Sequence, residues 1–162
     1  MAGRELFEGF ALQAVDLKGR VAIPADLRAA IERNAPDVRQ VVVGSHPFDP
    51  CLAAHDVAWS KEKNEHINRL QRLAEDAGRE IDPRAKRRAF GIVEKVAFDD
   101  SGRFVIPPFF KQKAKIGSWA FFAGSGDAFD IWAPEVLLKT DDVEDDVREI
   151  CAFLCQQKGV KL

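Results

Sequence analysis

The sequence is poor in the residues from which enzymes and disulfide-linked scaffolds build their sites. Its 162 residues include only three cysteines and three histidines. An odd number of cysteines with no Cys-x-x-Cys pair excludes a closed disulfide framework. Cys51 stands at no nucleophilic or zinc spacing from His46 or His55. We therefore expect no catalytic residue, no metal and no cofactor, and a reducing compartment.

Long apolar runs and an excess of positive charge are also missing. No stretch approaches the length that a bilayer-spanning helix needs, and Glu5, Glu8 and Gln13 interrupt the apolar residues near the start, unlike a signal peptide. The formal net charge is −2, which does not by itself indicate a nucleic-acid partner. From these features we expect a cytoplasmic protein with no membrane partner and no small-molecule substrate.

The charges are nevertheless unevenly distributed along the chain. Residues 79–115 contain ten Lys and Arg against five Asp and Glu, whereas residues 134–150 contain two against seven. This segregation predicts either one basic and one acidic face or two solvated helix surfaces. The acids at 141–146 suit the first turn of a helix and lack the spacing of a calcium loop.

What the sequence does contain is a nine-residue pattern that occurs twice. "DLKGRVAIP" stands at 16–24 and "DDSGRFVIP" at 99–107, 83 positions later. Both read Asp-x-x-Gly-Arg, an apolar residue, a variable residue, Ile and Pro. Two copies at this separation indicate an internal duplication rather than a solenoid. We place the two repeats at 1–80 and 81–162.

Both repeats predict the same order of elements, namely strand, Gly-Arg turn, strand, helix, strand, turn, strand and helix. Pro fits the first turn of the helix after each motif, and Asn34 and Gly117 are candidates for the left-handed helix ends. "GSGD" at 124–127 favours a hairpin turn over a nucleotide-binding loop. The predicted strands are 10–15, 40–44, 51–54, 92–98, 119–124 and 129–133; the predicted helices are 25–34, about 56–76, 83–90, 108–117 and about 141–157.

The motif itself predicts a tight hairpin. Its Gly would take a positive φ without steric cost, and its Asp would accept hydrogen bonds from the turn and from the Arg. Such an ion pair could merely stiffen the hairpin. The retention of the same three residues in both copies favours a function for the two arginines. The residues are Asp16, Gly19 and Arg20 in the first copy, and Asp99, Gly102 and Arg103 in the second.

Together these features resemble the bacterial MraZ family, relatives of the AbrB/SpoVT transition-state regulators. The resemblance covers nearly the whole chain and includes "HPFDPCL", the central "PRAKRRAFG" and "FDIW". A few extra residues before the first strand, Leu17 and the segment 90–92 depart from the family pattern. None of these departures changes the Asp, Gly or Arg of either motif.

The resemblance implies a mainly β fold with packed helices (α+β), in which swapped hairpins of the two repeats interlock into a β-barrel. It implies a nucleoid-associated DNA-binding regulator, expected to be a repressor, that acts on its own promoter upstream of division and cell-wall genes. It also implies ring-shaped homo-oligomers and contact of Arg20 and Arg103 with double-stranded DNA.

An Arg can pair bidentately with O6 and N7 of guanine, which suits G-rich direct repeats. Lys18 is a further candidate DNA contact, and the second motif has Ser101 in its place. One protomer carries little positive surface, so we expect several protomers to bind repeats about one helical turn apart. Possible phosphate contacts, which could equally be interface or solvated residues, are Arg84, Lys86, Arg87 and Arg88.

An interaction module, such as the AbrB-like antidote of a toxin, is the alternative function. Antidotes of that kind usually carry one motif and a disordered toxin-binding tail. This chain has two motifs and ends in a well-patterned helix, which favours the regulator. On that helix Cys151 and Cys155 lie one turn apart on the apolar side, where we expect small buried thiols.

Overall fold

The fold combines antiparallel strands with packed helices in a computed structural model that describes residues 3–162. The strands are β1 (Phe10–Ala14), β2 (Arg20–Ala22), β3 (Gln40–Ser45), β4 (Leu52–Asp56), β5 (Val93–Ala97), β6 (Arg103–Val105), β7 (Trp119–Gly124) and β8 (Phe129–Trp132). The helices are α1 (Ala25–Asn34), α2 (Trp59–Asp76), α3 (Pro108–Lys113), α4 (Pro134–Leu138) and α5 (Asp145–Gln157), and a π-helical turn (Arg87–Gly91) precedes β5.

Strands of the two repeats pair with each other in one six-stranded sheet of order β1-β7-β8-β4-β3-β5. β1 pairs with β7 of the second repeat, and β5 pairs with β3 of the first. The centre of the sheet is the antiparallel pair of β4 and β8. This order is unchanged when the repeats are exchanged, which indicates a pseudo-twofold axis between β4 and β8. The expected α+β fold with packed helices is confirmed, although helices and strands are both well represented and the fold is mixed rather than mainly β.

Each Gly-Arg turn is closed by its backbone as expected, but the strands that flank it pair with strands of the other repeat rather than with each other. β1 leaves the first turn to pair with β7, while β2 pairs with β6 in a separate two-stranded ribbon. The reason is burial: Val21 lies opposite Phe104 in this ribbon, and both side chains face the core. The strand pairs of residues 3–162 include none between β1 and β5 that would close the sheet into a barrel.

Most predicted helices are present, with corrections at their ends. α1 has the expected bounds, but the left-handed residues that follow α1 and α3 are Asp37 and Lys115 rather than Asn34 and Gly117. Lys115 reverses the chain so that the Ile116 N–H donates to the carbonyl of Lys111 at 3.0 Å. The last helix begins at Asp145 instead of about 141. The short helix α4 that precedes it was not predicted from the sequence. The expected basic helix at 83–90 is mostly the π-helical turn.

Two apolar clusters hold the repeats together. The larger cluster lies beneath the β2–β6 ribbon and includes Val21, Phe104 and side chains of α1 and α3. The second cluster forms where α4 and α5 cover one face of β1, β7 and β8, and Trp132, Cys151 and Cys155 belong to it. The expectation of small buried thiols in α5 is therefore confirmed.

The helix α2 lies outside both clusters. None of its 18 residues, all of which the structure describes, is buried. Its start is fixed by Asp56, a fully buried carboxylate that accepts a hydrogen bond from the Trp59 N–H at 3.1 Å. Arg4 binds the same carboxylate through two bonds of 2.7 and 3.1 Å. Beyond this anchored first turn, Leu70 and Leu73 on the apolar side of α2 are about half exposed.

Candidate nucleic-acid interface

The first Gly-Arg turn is closed by its own backbone and by the Asp16 carboxylate. The Gly19 N–H donates to the Asp16 carbonyl at 2.9 Å, and Gly19 has the positive φ expected, 81°. One carboxylate oxygen of Asp16 accepts from the N–H groups of Lys18 (2.9 Å) and Arg20 (2.8 Å). The other accepts from Nε of Arg20 at 2.7 Å. The turn therefore fixes the arginine through its backbone and its side chain at once.

The second turn reproduces this geometry at every equivalent atom. Gly102 has a φ of 79°, and one oxygen of Asp99 accepts from the N–H groups of Ser101 and Arg103, both at 2.9 Å. The second oxygen accepts from Nε of Arg103 at 3.1 Å. In both turns the backbone N–H of the Arg is the largest cause that holds the pKa of the Asp below its ordinary value. Both carboxylates therefore stay ionised and keep their arginines oriented at neutral pH.

The two arginines lie on one exposed face of the β2–β6 ribbon rather than at two separate hairpin tips. Arg20 is opposite Val105, and Arg103 is opposite Ala22. Because alternate residues point to opposite faces, Arg20 and Arg103 share the face opposite to the buried Val21. The spacing between paired strands and the rise per residue together place the Cα atoms of Arg20 and Arg103 about 8 Å apart. Both line a shallow depression of about 340 Å³.

The residues between Asp and Gly distinguish the two turns. The first turn presents Leu17, which is fully exposed (107%), and Lys18. The second presents Asp100 and Ser101 at the same positions, and Asp100 forms an ion pair with Arg39. Lys18 thus adds positive charge beside Arg20, whereas no cation stands at the matching place beside Arg103.

Two further cations beside the turns were missed by our sequence reasoning. A Cβ built on Gly102 would lie 2.7 Å from Cδ of Arg28, and one on Gly19 would lie 3.7 Å from Cδ of Lys111. Arg28 lies on α1 of the first repeat but approaches the second turn, and Lys111 lies on α3 of the second repeat but approaches the first turn. The signal was present in the sequence, since Arg28 and Lys111 are separated by the same 83 residues as the motifs.

The basic segment 84–88 lies away from the ribbon. Asp82 organises it, accepting from the Arg84 N–H at 2.9 Å and from the guanidinium of Arg88. This segment and the second turn lie at opposite ends of β5, whose length is about 16 Å. Lys86 and Arg87 are exposed. The structure thus groups Arg20, Arg103 and Lys18 around the ribbon and leaves Arg84, Lys86, Arg87 and Arg88 at the far end of β5.

The described residues offer little support for chemistry elsewhere. Residues 3–162 contain no group of three or more side chains that could hold a metal ion. Burial raises the pKa of the thiols of Cys51, Cys151 and Cys155, which keeps them protonated. The segment 124–127 is the expected hairpin turn, between β7 and β8. No helix of the described chain has the length and hydropathy needed to cross a membrane.

The chain is similar to curated proteins named transcriptional regulator MraZ. The protein of Ruegeria sp. (strain TM1040) is 32% identical over 145 residues, which cover 85% of this chain and 83% of the relative. The protein of Alcanivorax borkumensis is 30% identical over 143 residues, covering 86% and 91%. The chain belongs to the MraZ family. The MraZ protein of Coxiella burnetii is 29% identical over 157 residues, 90% of this chain and 99% of the relative.

No protein-family model matches the chain, so its membership in the MraZ family rests on these similarities, which cover most of the chain. The family resemblance that we stated from the doubled motif is confirmed. MraZ proteins are named as transcriptional regulators and not as enzymes, which confirms the prediction that this chain is not an enzyme.

Proposed function

We propose that this protein is a sequence-specific DNA-binding transcriptional regulator whose β2–β6 ribbon reads guanine through Arg20 and Arg103. The observation that carries the proposal is the pair of equally oriented arginines on one exposed face. The names of the relatives support the regulatory role. Following the resemblance, its target is its own promoter upstream of division and cell-wall genes, where it acts as a repressor, in the cytoplasm at the nucleoid.

The orientation of each guanidinium suits guanine recognition. In both turns the Asp engages Nε of the Arg, and within residues 3–162 no hydrogen bond occupies the two terminal nitrogens of either arginine. Those two nitrogens form the fork that pairs with O6 and N7 of guanine in the major groove. An arginine held in advance by a carboxylate loses less side-chain entropy on binding than a free one. The ion pair that could have been merely structural thereby serves recognition.

The ribbon also has the right size for the major groove. That groove is about 12 Å wide and admits a two-stranded β-ribbon. The separation of about 8 Å between the two Cα atoms corresponds to between two and three base-pair steps of about 3.4 Å. One ribbon therefore reads a single short box with both arginines. Phosphates on either side of this box would be contacted by Lys18, Arg28 and Lys111, which surround the two turns.

Tight binding requires several protomers, because the whole chain has a net charge of −2. We propose a ring-shaped homo-oligomer in which neighbouring ribbons read G-rich direct repeats about one helical turn apart. The surface that fits a contact between copies is the apolar side of α2, with Leu70 and Leu73 about half exposed (52% and 53%). An amphipathic helix with no buried residue is expected to pack against a partner.

The finer fold prediction belongs to the same proposal. We propose that the two Gly-Arg turns with their flanking strands act as swapped hairpins that interlock around the pseudo-twofold axis. This is supported by the pairing of β2 with β6, and of β1 with β7 and β5 with β3, all between repeats. The repeats at 1–80 and 81–162 would then be units of duplication that cannot fold apart.

A footprint on the DNA upstream of the protein's own reading frame tests the function. We expect protection of evenly spaced, short G-rich repeats, with an affinity that falls steeply as salt rises. Adding about half a helical turn between boxes should weaken binding, since alternate boxes then face away. Absence of any protected region, together with tight one-to-one binding of a small protein, would instead support the antidote-like interaction module.

A further inference from the structure

A second feature of the surface is a cleft lined by residues of both repeats, none of which lines the depression that holds Arg20 and Arg103. It has a volume of about 460 Å³ and lies between the start of the β3–β4 loop, α2, the π-helical turn and the end of α3. A neighbouring depression of about 250 Å³ shares Ser45, His46 and Lys113 with it. A cleft of this size accommodates a small organic molecule.

The charge lining the cleft has one sign. Lys63, Arg88 and Lys113 line it, and among the described residues no Asp or Glu does. Arg88 is paired with Asp82, but that carboxylate lies outside the lining. Three cations around one cavity favour an anionic occupant.

Lys63 is the member that most needs a partner. Its side chain is half-buried on the side of α2 that faces the cleft, and burial lowers its pKa without any compensating charged neighbour. Its ammonium faces the ring of Phe90, 5.8 Å from Nζ to the centroid. Removing an ammonium from water without a counter-charge is costly, so an anion that bound here would be stabilised by this residue in particular.

The rest of the lining indicates what else the ligand carries. Ala89 and Ile92 present apolar surface, and Ser45 offers a hydroxyl. A free inorganic ion would leave the apolar part of a 460 Å³ cleft unfilled. The lining therefore fits a molecule with a compact, highly charged group and an apolar body.

We propose that this cleft binds a phosphate monoester with an apolar body, its phosphate held by Lys63, Arg88 and Lys113. A phosphate dianion matches several cations better than a single carboxylate does. Binding would also reach the first turn, because Lys113 is two residues from Lys111, the cation that lies beside Gly19. This last consequence rests on the proposed DNA-binding function, whereas the site itself does not.

Titration calorimetry of the full chain without DNA tests the site, with phenyl phosphate, inorganic phosphate and benzyl alcohol as probes. We expect one phenyl phosphate per chain, bound more tightly than inorganic phosphate, and no binding of benzyl alcohol. Lys63→Gln should weaken phenyl phosphate binding about tenfold or more, the value of one charge-assisted hydrogen bond. The matched control is Lys61→Gln, on the opposite, exposed side of α2, which should bind like the parent.

Three results would overturn the proposal. The first is no heat from phenyl phosphate at millimolar concentration, and the second is equal binding by the Lys63 and Lys61 variants. The third is a parent that does not bind phenyl phosphate together with a Lys63→Gln variant whose oligomeric state differs from that of the parent. That result would indicate that the cleft receives an acidic segment of a second copy. These measurements contain no DNA. A negative result for the cleft would therefore not count against the proposed DNA-binding function.

Discussion

The first and second Gly-Arg turns share every hydrogen bond that fixes the arginine and differ at the two residues between Asp and Gly. Leu17 and Lys18 stand in the first turn where Asp100 and Ser101 stand in the second. The shared residues determine the backbone and the guanidinium, so they cannot vary without loss of the turn. The intervening residues point outward and can vary, and they give the first turn more positive charge than the second.

The helices that end the two repeats show a second difference. α5 contributes Cys151 and Cys155 to an apolar cluster on the sheet, whereas α2 buries no residue along its described length. The two helices therefore differ in how much apolar surface they bury in the protomer. α5 completes the core of the protomer, whereas α2 leaves Leu70 and Leu73 about half exposed.

The largest effect should come from the arginines themselves. We expect Arg20→Ala to weaken binding to the upstream DNA about 100-fold, and Arg103→Ala about tenfold, since a bidentate guanine contact is worth about 1–3 kcal/mol and is repeated across the assembly. Filter binding at fixed salt measures both. Arg33→Ala, at the exposed end of α1, is the matched control. Equal losses would show that the difference between the turns has no consequence, and parent-like binding by both variants would remove the ribbon from recognition.

Disrupting the proposed contact between copies should have the next largest effect. Leu70→Glu puts a charge on the uncovered apolar side of α2, so we expect smaller assemblies in sedimentation velocity and about tenfold weaker DNA binding through lost avidity. The helical content should be unchanged, because Leu70 is half exposed in the protomer. Arg72→Glu alters charge more strongly on the opposite side of the helix and should assemble like the parent. Assembly that survives Leu70→Glu would exclude this side of α2 as the interface.

Exchanging the variable turn residues should produce smaller, opposite effects. Lys18→Ser should lower affinity a few-fold and Ser101→Lys should raise it, each changing the slope of log affinity against log salt by about 0.9 per protomer contact. Affinities at four salt concentrations give these slopes. Unchanged slopes in both variants would mean that neither position approaches a phosphate or a base.

The last comparison concerns the two central strands of the sheet, where Asp130 of β8 lies opposite Ala53 of β4. Burial raises the pKa of Asp130 to about 6, and His46, 3.8 Å away, opposes that shift. Because the folded pKa exceeds the unfolded value of about 3.9, stability from the protonated form is present at low pH and is lost between about pH 4 and pH 6.

Asp130→Asn removes this dependence. We expect the variant to be more stable than the parent at pH 7, by on the order of 1–2 kcal/mol, with the difference shrinking toward pH 4. Urea unfolding at several pH values measures it, and Asp142→Asn, at an exposed position, is the control. A difference that grows toward low pH would contradict the assigned direction of the pKa.

The local structure of the turns could be predicted from the sequence because it depends on adjacent residues. Asp, Gly and Arg at fixed spacing determine φ and the hydrogen bonds of each turn, and the helix after Pro24 has the expected bounds. Pairing between repeats could not be predicted from the local patterns, since strands with similar apolar patterns suit several partners; only the family resemblance implied interlocking hairpins. The approach of Arg28 and Lys111 to the turns follows from that pairing and was missed with it.

The ion pair of Arg4 with Asp56 was also beyond prediction. The two residues are 52 positions apart, and no local pattern marks a carboxylate that will be buried. The same holds for the cleft, whose three cations come from α2, the π-helical turn and α3. Such constellations are visible only once the tertiary contacts are known.

The most direct test of the central claim replaces single guanines of the protected repeat with 7-deazaguanine, which lacks the N7 acceptor. If Arg20 pairs bidentately with guanine, one such replacement should weaken binding by the parent about tenfold. The same replacement should have no effect on Arg20→Ala, whose side chain can no longer reach the base. Equal loss by the parent and the variant at every guanine tested, or no loss at any guanine in the parent, would contradict guanine reading by Arg20.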